Sequence, residues 1–85
     1  MKVIIHQRVH KSLARMPVHV SDVVTEVATL LENFPLIHAD IKKLGPSQYR
    51  IRKGEYRIIF YHLKPEATIL IYEVEIRGRI SYSRG

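Results

Sequence analysis

The chain has 85 residues, 46% of them hydrophobic and 26% charged, with a net charge of +6 and no cysteine. This balance is typical of a globular protein, and the length predicts a single domain over residues 1–85. The lack of cysteine excludes disulfides and thiolate metal sites and favours a cytoplasmic protein, while the short apolar runs exclude a membrane-spanning helix and a signal peptide.

The first half of the chain is predicted to form one strand and two helices. The β-branched run at residues 3–5 predicts the strand, and apolar side chains at helical spacing predict a first helix over residues 6–16, which Pro17 ends. The second helix is predicted to begin after Ser21, a favourable N-cap residue, and to present one apolar stripe as far as Phe34. We expect the packing of that stripe, rather than intrinsic helix propensity, to hold this valine-rich helix.

The second half is predicted to form an antiparallel β-meander. Residues 35–47 are expected to be a loop with a short helical turn, and runs of β-branched and aromatic residues predict strands over 49–53, 55–62 and 68–76. Together the elements predict an α+β fold: an N-terminal strand, two helices packed on one sheet face, and the meander. The first strand is expected to pair at one edge of the sheet.

The positive charge is concentrated in residues 42–64, which hold seven basic residues and one acidic residue. Such a concentration points to nucleic acid, anionic lipid or an acidic protein as a partner, unless it is only a solubilising surface. The sequence alone leaves both interpretations open.

The hairpin inside this segment is predicted to have one cationic face. We expect Lys53-Gly54 to be a two-residue turn. Arg52 would then lie opposite Glu55. Arg50 would lie opposite Arg57, and because opposite residues project to the same side of a sheet, all four share one face. The other face is apolar and is expected to cover the helices: Tyr49, Ile51, Tyr56, Ile58 and Phe60.

Strict alternation in the last predicted strand assigns four side chains to the core: Leu70, Tyr72, Val74 and Ile76. Glu73 and Glu75 then join the arginine face and compensate part of its charge. Tyr61 joins the same face by parity, where it could stack on a nucleobase. The face is either a solvated surface with cross-strand salt bridges or a phosphate-binding surface, to which the planar guanidinium of arginine is suited.

Two stretches resemble the RelE/ParE superfamily of toxins from toxin–antitoxin modules. One is KKLGPSQYRIRKGEYRIIFY, residues 42–61, with its Tyr-Arg-Ile-Arg strand and the Tyr-Arg that follows a glycine turn. The other is ILIYEVEIRGRISY, residues 69–82, with its Arg-rich, Tyr-ending segment. The N-terminal VHKSLARMP, residues 9–17, is similar to the usual first helix of the family. The resemblance covers nearly the whole chain and implies the same order of strand, helices and meander that the residues predict.

The resemblance implies a RelE-like toxin, an endoribonuclease (mRNA interferase) that cleaves messenger RNA in the ribosomal A site and so inhibits translation. In such cleavage the ribose 2′-OH attacks the adjacent phosphate, whose developing negative charge is stabilised by cations. The resemblance assigns this chemistry to four arginines and to a C-terminal tyrosine that stacks on or activates the substrate: Arg50, Arg52, Arg57, Arg77 and Tyr82.

The chain departs from the family at the groups that move protons. The family often has lysine where Arg50 and Arg52 stand, and arginine is a poor general base because it stays protonated. It often has His or Gly before the last-strand arginine, where this chain has Ile76. No clear general base or acid is evident. Three carboxylates are candidates for a base and equally for salt bridges: Glu55, Glu73 and Glu75.

The resemblance further implies partners: a cognate antitoxin, acidic and partly disordered, in a hetero-oligomer with the toxin, and the ribosome with its mRNA. A net charge of +6 agrees with an acidic partner. No cofactor and no membrane partner is implied. His6 and His10 lie one helical turn apart, but no third ligand accompanies them, so no metal site is predicted.

Other functions stay open. The chain could instead be a non-enzymatic toxin of the ParE kind, which inhibits DNA gyrase, or a catalytically inactive member that only binds its antitoxin. The absence of an evident base motivates both. A plain RNA-binding module is a further alternative, and strongly salt-dependent binding to any RNA would indicate it.

Overall fold

The structure, a computed structural model, describes residues 1–76. Within these residues lie seven elements in chain order: β1 (Lys2–Ile5), α1 (Gln7–Leu13), α2 (His19–Leu31), β2 (Asp40–Lys43), β3 (Gln48–Lys53), β4 (Tyr56–Leu63) and β5 (Thr68–Ile76). The strands form one mixed sheet in the order β1-β5-β4-β3-β2, in which β1 runs parallel to β5 and every other neighbouring pair is antiparallel. The predicted α+β fold class, with the first strand at a sheet edge, is confirmed.

Both helices bury one face against the inner face of the sheet. The shared core consists of twelve side chains: Val9, Val20, Val24, Val27, Leu31, Phe34, Ile51, Ile58, Phe60, Ile69, Ile71 and Val74. Within the described residues, the outer face of the sheet is therefore left without a helix. Neither of the two helices in this part of the chain is long and apolar enough to cross a membrane.

The two helices begin with different caps. The His6 Nδ1 accepts a hydrogen bond from the backbone N–H of Arg8 at 3.0 Å and caps α1. The prediction that Ser21 caps α2 is wrong, because α2 begins before it and the Ser21 hydroxyl donates to the Val18 carbonyl at 3.0 Å. The backbone N–H of Val20 donates to the Pro17 carbonyl at 3.0 Å, so the first turn forms ahead of Ser21. The end of α1 also comes earlier than the predicted residue 16.

The segment predicted as a loop contains the edge strand β2. It pairs antiparallel with β3, Asp40 with Arg52 and Lys42 with Arg50, while Ile41 packs against the core. The prediction of a loop with a helical turn is therefore wrong for these residues. Four residues rich in charge give a weak local strand signal, although lysine is common on edge strands because it discourages further pairing.

The turn of the β3–β4 hairpin lies one residue later than predicted. Lys53 pairs with Tyr56, so the loop is Gly54-Glu55, and Arg52 lies opposite Arg57 rather than opposite Glu55. Gly54 has φ +61°, and a two-residue hairpin loop requires a positive φ at its first position, which glycine takes more readily than lysine. The residue opposite each β3 position is therefore two residues later in β4 than predicted. A shift of two keeps every strand side chain on its predicted face, so the arginines share one face and the apolar residues the other.

A β-bulge changes which side chains of β5 face the core. Ile59 pairs with Glu73, but Phe60 pairs with Ile71, which leaves Tyr72 as an extra residue in β5. Strict alternation is therefore wrong on the N-terminal side of the bulge, where Ile71 is fully buried instead of exposed. Two residues predicted for the core lie on the outer face: Leu70 and Tyr72. Beyond the bulge the predicted alternation holds, and the two glutamates of β5 lie on the outer face.

Candidate functional site

A depression of about 320 Å³ on the outer sheet face collects the cationic side chains of three strands. We call it the arginine pocket, and its lining is as follows: Lys42, Leu44, Arg50, Arg52, Arg57, Ile59 and Glu75. Alternation along β3 and β4 places the arginines there, since each projects to the side away from the helices. Four cations and one carboxylate line the pocket, so its charge suits an anionic ligand.

Arg57 is held by Glu75, its direct neighbour across β4 and β5. The Arg57 Nε donates a hydrogen bond to Glu75 Oε1 at 3.1 Å, and Nη2 lies 3.0 Å from the same oxygen. The two side chains are 35% and 26% exposed, so the pair is only partly screened by water. The contact fixes the guanidinium plane and uses two of its five N–H donors, which leaves the others directed elsewhere in the pocket.

Asp40 on β2 holds the other two arginines. Arg50 Nη1 donates to Asp40 Oδ1 at 3.0 Å and to the Asp40 carbonyl at 3.2 Å, while Arg52 Nη1 lies 3.8 Å from Oδ2. Asp40 is absent from the residues predicted for the site, because β2 was predicted as a loop. The signal that could have found it is the alternation of residues 40–43, in which Ile41 faces inward and its two neighbours outward.

Arg52 carries a polar group that the protein itself does not satisfy. Among the described residues, its Nε is buried and has no hydrogen-bond partner. A buried unpaired donor costs roughly 1–3 kcal/mol, so such groups are rare in folded proteins and call for a ligand or a structural reason. A phosphate oxygen in the arginine pocket would supply the acceptor.

The structure brings together three of the five residues predicted for the site, Arg50, Arg52 and Arg57. Arg77 and Tyr82 lie outside the described residues. The three candidate bases separate: Glu55 lies in the hairpin turn, while Glu73 is an ion-pair partner of Arg8 at 4.0 Å and Glu75 lines the pocket. Tyr61 lies on the outer face, where its ring contacts that of Tyr72. Within residues 1–76 no three His, Cys, Asp or Glu side chains converge to hold a metal ion.

No protein-family model and no curated protein matches this sequence. Solved structures do match it. The chain is 31% identical to a chain of the archaeal RelE–RelB complex from Pyrococcus horikoshii OT3, with a TM-score of 0.77 over 92% of this chain and 96% of that one. It is 24% identical to a chain of the toxin–antitoxin complex RelBE2 from Mycobacterium tuberculosis, with a TM-score of 0.74 and coverages of 89% and 96%.

The isolated RelE toxin of E. coli also matches, at 17% identity and a TM-score of 0.72, over 98% of this chain and 92% of that one. Because that toxin was solved without an antitoxin, it identifies the toxin as the component with this fold. The matches at 24% and 17% identity show similarity of fold only. An identity of 31% over nine tenths of the chain is a relationship in sequence as well.

Proposed function

The chain belongs to the RelE toxin family, and we propose that it is a ribosome-dependent endoribonuclease that cleaves messenger RNA. The observation that carries the proposal is the arginine pocket, in which Arg50, Arg52 and Arg57 converge on the open face of the sheet. A solubilising surface would not require a buried guanidinium donor that lacks a partner among the described residues, as Arg52 Nε does. A phosphodiester of RNA has the negative charge and the oxygen acceptors that guanidinium groups bind.

The proposed reaction is attack of a ribose 2′-OH on the adjacent phosphate. The O2′–P bond forms as the P–O5′ bond breaks, which gives a 2′,3′-cyclic phosphate end and a 5′-OH end. Attack of water on the cyclic phosphate then breaks the P–O2′ bond and leaves a 3′-phosphate. Negative charge gathers on the non-bridging oxygens in the transition state, and Arg52 and Arg57 would stabilise it there. One preorganised donor of this kind contributes roughly 3–4 kcal/mol. By resemblance, Arg77 would add a further cation and Tyr82 a contact to the substrate.

The proton of the 2′-OH requires an acceptor, and we assign this role to Glu75. Among the carboxylates of residues 1–76, it is the one that lines the arginine pocket. Both close contacts with Arg57 fall on Oε1, so Oε2 is the oxygen that would take the proton. The departing 5′-oxygen would take its proton from water. The ribosome would supply the remaining acceleration by holding the 2′-OH in line with the phosphate, because a positioned nucleophile loses little entropy on reaching the transition state.

An antitoxin is the second proposed partner. The Pyrococcus and Mycobacterium structures are complexes of a RelE-type toxin with its antitoxin. A chain of net charge +6 would attract an acidic, partly disordered antitoxin and form a hetero-oligomer with it. Because the proposed substrate is mRNA on translating ribosomes, the proposed location is the cytoplasm.

Cleavage of mRNA on translating ribosomes tests the proposal directly. Purified protein should create new mRNA 5′ ends in the A-site codon, and Arg57→Ala should abolish them. Arg15→Ala is the matched control, since Arg15 is an exposed arginine outside the pocket. Absent cleavage, or cleavage unchanged by Arg57→Ala, would contradict the proposal. Intact mRNA together with inhibited DNA gyrase would support the ParE-like alternative instead.

A further inference from the structure

Beside the arginine pocket lies a group of three planar side chains in contact, which we call the stacking cluster: Arg8, Tyr61 and Tyr72. The Arg8 guanidinium carbon lies 4.3 Å from the centre of the Tyr72 ring. The Tyr72 and Tyr61 rings meet edge to face with centres 5.4 Å apart. Gln48 Nε2 donates a hydrogen bond to the Tyr61 hydroxyl at 3.2 Å. These contacts hold the cluster in a defined geometry.

The stacking cluster is continuous with the arginine pocket. Arg57, Ile59 and Tyr61 alternate on β4, so all three project from the outer face, and Ile59 lines the pocket. A strand rises about 3.4 Å per residue, which places Tyr61 about 14 Å from Arg57 and about 7 Å from Ile59 along β4. An extended single strand of RNA with one phosphate in the pocket would therefore reach the cluster with a neighbouring nucleotide.

The bulge in β5 is what turns Tyr72 outward. With regular alternation from Glu75 back along β5, Tyr72 would face the core, and the extra residue at the bulge places it beside Tyr61 instead. Bulges often re-aim one side chain next to a functional site. The outward position of a large aromatic residue is thus a specific feature of this sheet rather than a result of strand periodicity.

Arg8 gives the cluster an accessible surface. Its side chain is 46% exposed, and its guanidinium group packs over Tyr72, so the outer side of the guanidinium is a flat, cationic surface. Unpaired RNA bases stack on aromatic rings and on arginine guanidinium planes. The ion pair of Arg8 with Glu73 is long, at 4.0 Å, and exposed, and such pairs contribute little to stability.

We propose that Arg8, Tyr72 and Tyr61 form a nucleobase-binding subsite, which stacks an unpaired base of single-stranded RNA next to the phosphate in the arginine pocket. The subsite rests on the proposed ribonuclease function and adds to it a contact with the base. Stacking tolerates every base, because each has a flat π-face. The subsite would therefore contribute affinity and register rather than sequence preference.

A fluorescent trinucleotide tests the subsite. The probe carries 2-aminopurine beside a deoxyribose at the scissile position, so that it binds without being cleaved. Binding to the unmodified protein should quench the fluorescence, because stacking lowers the emission of 2-aminopurine. Arg8→Lys keeps the charge but removes the plane, and it should weaken binding by about tenfold and relieve the quenching. Arg15→Lys makes the same exchange outside the cluster and should change neither quantity.

A second pair of measurements guards against loss of folding and separates the two proposals. Tyr72→Leu should act like Arg8→Lys. A trinucleotide with an abasic site in place of 2-aminopurine, followed by titration calorimetry because it carries no fluorophore, should bind all variants equally. Quenching that is absent from the unmodified protein, or is unchanged in Arg8→Lys, overturns the subsite. Normal mRNA cleavage by the unmodified protein, with quenching unchanged in Arg8→Lys, refutes the subsite alone. Quenching that the unmodified protein shows and Arg8→Lys loses, without any mRNA cleavage, refutes the ribonuclease function alone.

Discussion

Arg52 and Arg57 lie directly opposite each other on β3 and β4, so two guanidinium groups project side by side from the outer sheet face. Like charges in this position destabilise a sheet, by up to about 1 kcal/mol. Asp40 and Glu75 flank the pair, and each forms an ion pair with one of the two arginines. The sheet thus retains an unfavourable contact at the pocket, which is the pattern expected where local stability is given up for function.

Arg52→Gln should separate function from stability. The neutral amide removes the repulsion from Arg57 and the buried Nε, so we expect the free energy of unfolding to rise by about 0.5 kcal/mol. Cleavage of ribosome-bound mRNA should fall by roughly 100- to 1,000-fold, the loss expected for one transition-state donor. Urea unfolding and single-turnover cleavage measure the two quantities.

Arg50→Gln is the matched variant for this comparison. The Arg50 side chain is only 11% exposed, and it donates to both the carboxylate and the carbonyl of Asp40. Its loss should lower the free energy of unfolding by about 1 kcal/mol. If Arg52→Gln destabilised the protein as much as Arg50→Gln, repulsion between Arg52 and Arg57 would not be the dominant effect at that position.

Inorganic phosphate should raise the unfolding temperature of the protein. An anion that binds only the folded state stabilises it by RT ln(1 + [L]/Kd), about 2.7 kcal/mol at a hundredfold excess over Kd. Thermal unfolding in phosphate, compared with chloride at the same ionic strength, measures this effect. Most of the rise should disappear in Arg57→Ala and persist in Arg15→Ala. An equal rise in both variants would mean that phosphate acts on the general charge rather than in the pocket.

Glu75→Gln should abolish most of the cleavage while leaving the pocket in place. The amide oxygen can still accept the Arg57 hydrogen bond but cannot take up a proton, so the rate should fall by about 10²–10⁴-fold. Glu73→Gln changes the neighbouring carboxylate of β5, which contacts Arg8 outside the pocket, and should retain nearly full cleavage. Cleavage that Glu75→Gln leaves nearly unchanged would mean that Glu75 only positions Arg57.

The cationic face of the hairpin could be predicted from the sequence because strand alternation is a local property. Parity alone places Arg50, Arg52 and Arg57 on one side, and the error in the turn position left that parity intact. The strongest of the stretches that resemble the RelE/ParE superfamily, residues 42–61, contains the same hairpin. The part of the site that depends on one hairpin was therefore accessible without a structure.

The rest of the site depends on pairings between distant segments. Asp40 reaches the arginines because β2 pairs with β3, and four residues rich in charge do not identify a strand by themselves. Tyr72 reaches the outer face because β4 and β5 pair through a bulge. The alternation of residues 40–43 is too short to identify a strand alone, and the bulge interrupts the alternation of β5. Local patterns therefore predicted a loop in the first case and a core residue in the second.

Gly54→Ala should test the turn that sets this register. Gly54 has φ +61°, and among the described residues nothing lies within 4 Å of the position of an added Cβ. The cost is then one of backbone conformation alone, and we expect the free energy of unfolding to fall by about 1 kcal/mol. Gly45→Ala is the control, because its Cβ would make an ordinary contact at 3.8 Å with Gln48 and should cost nothing. Urea unfolding of both variants measures the two changes in stability. An unchanged stability for Gly54→Ala would mean that the first turn position does not require a positive φ. Glycine would then not explain why the loop forms at Gly54-Glu55.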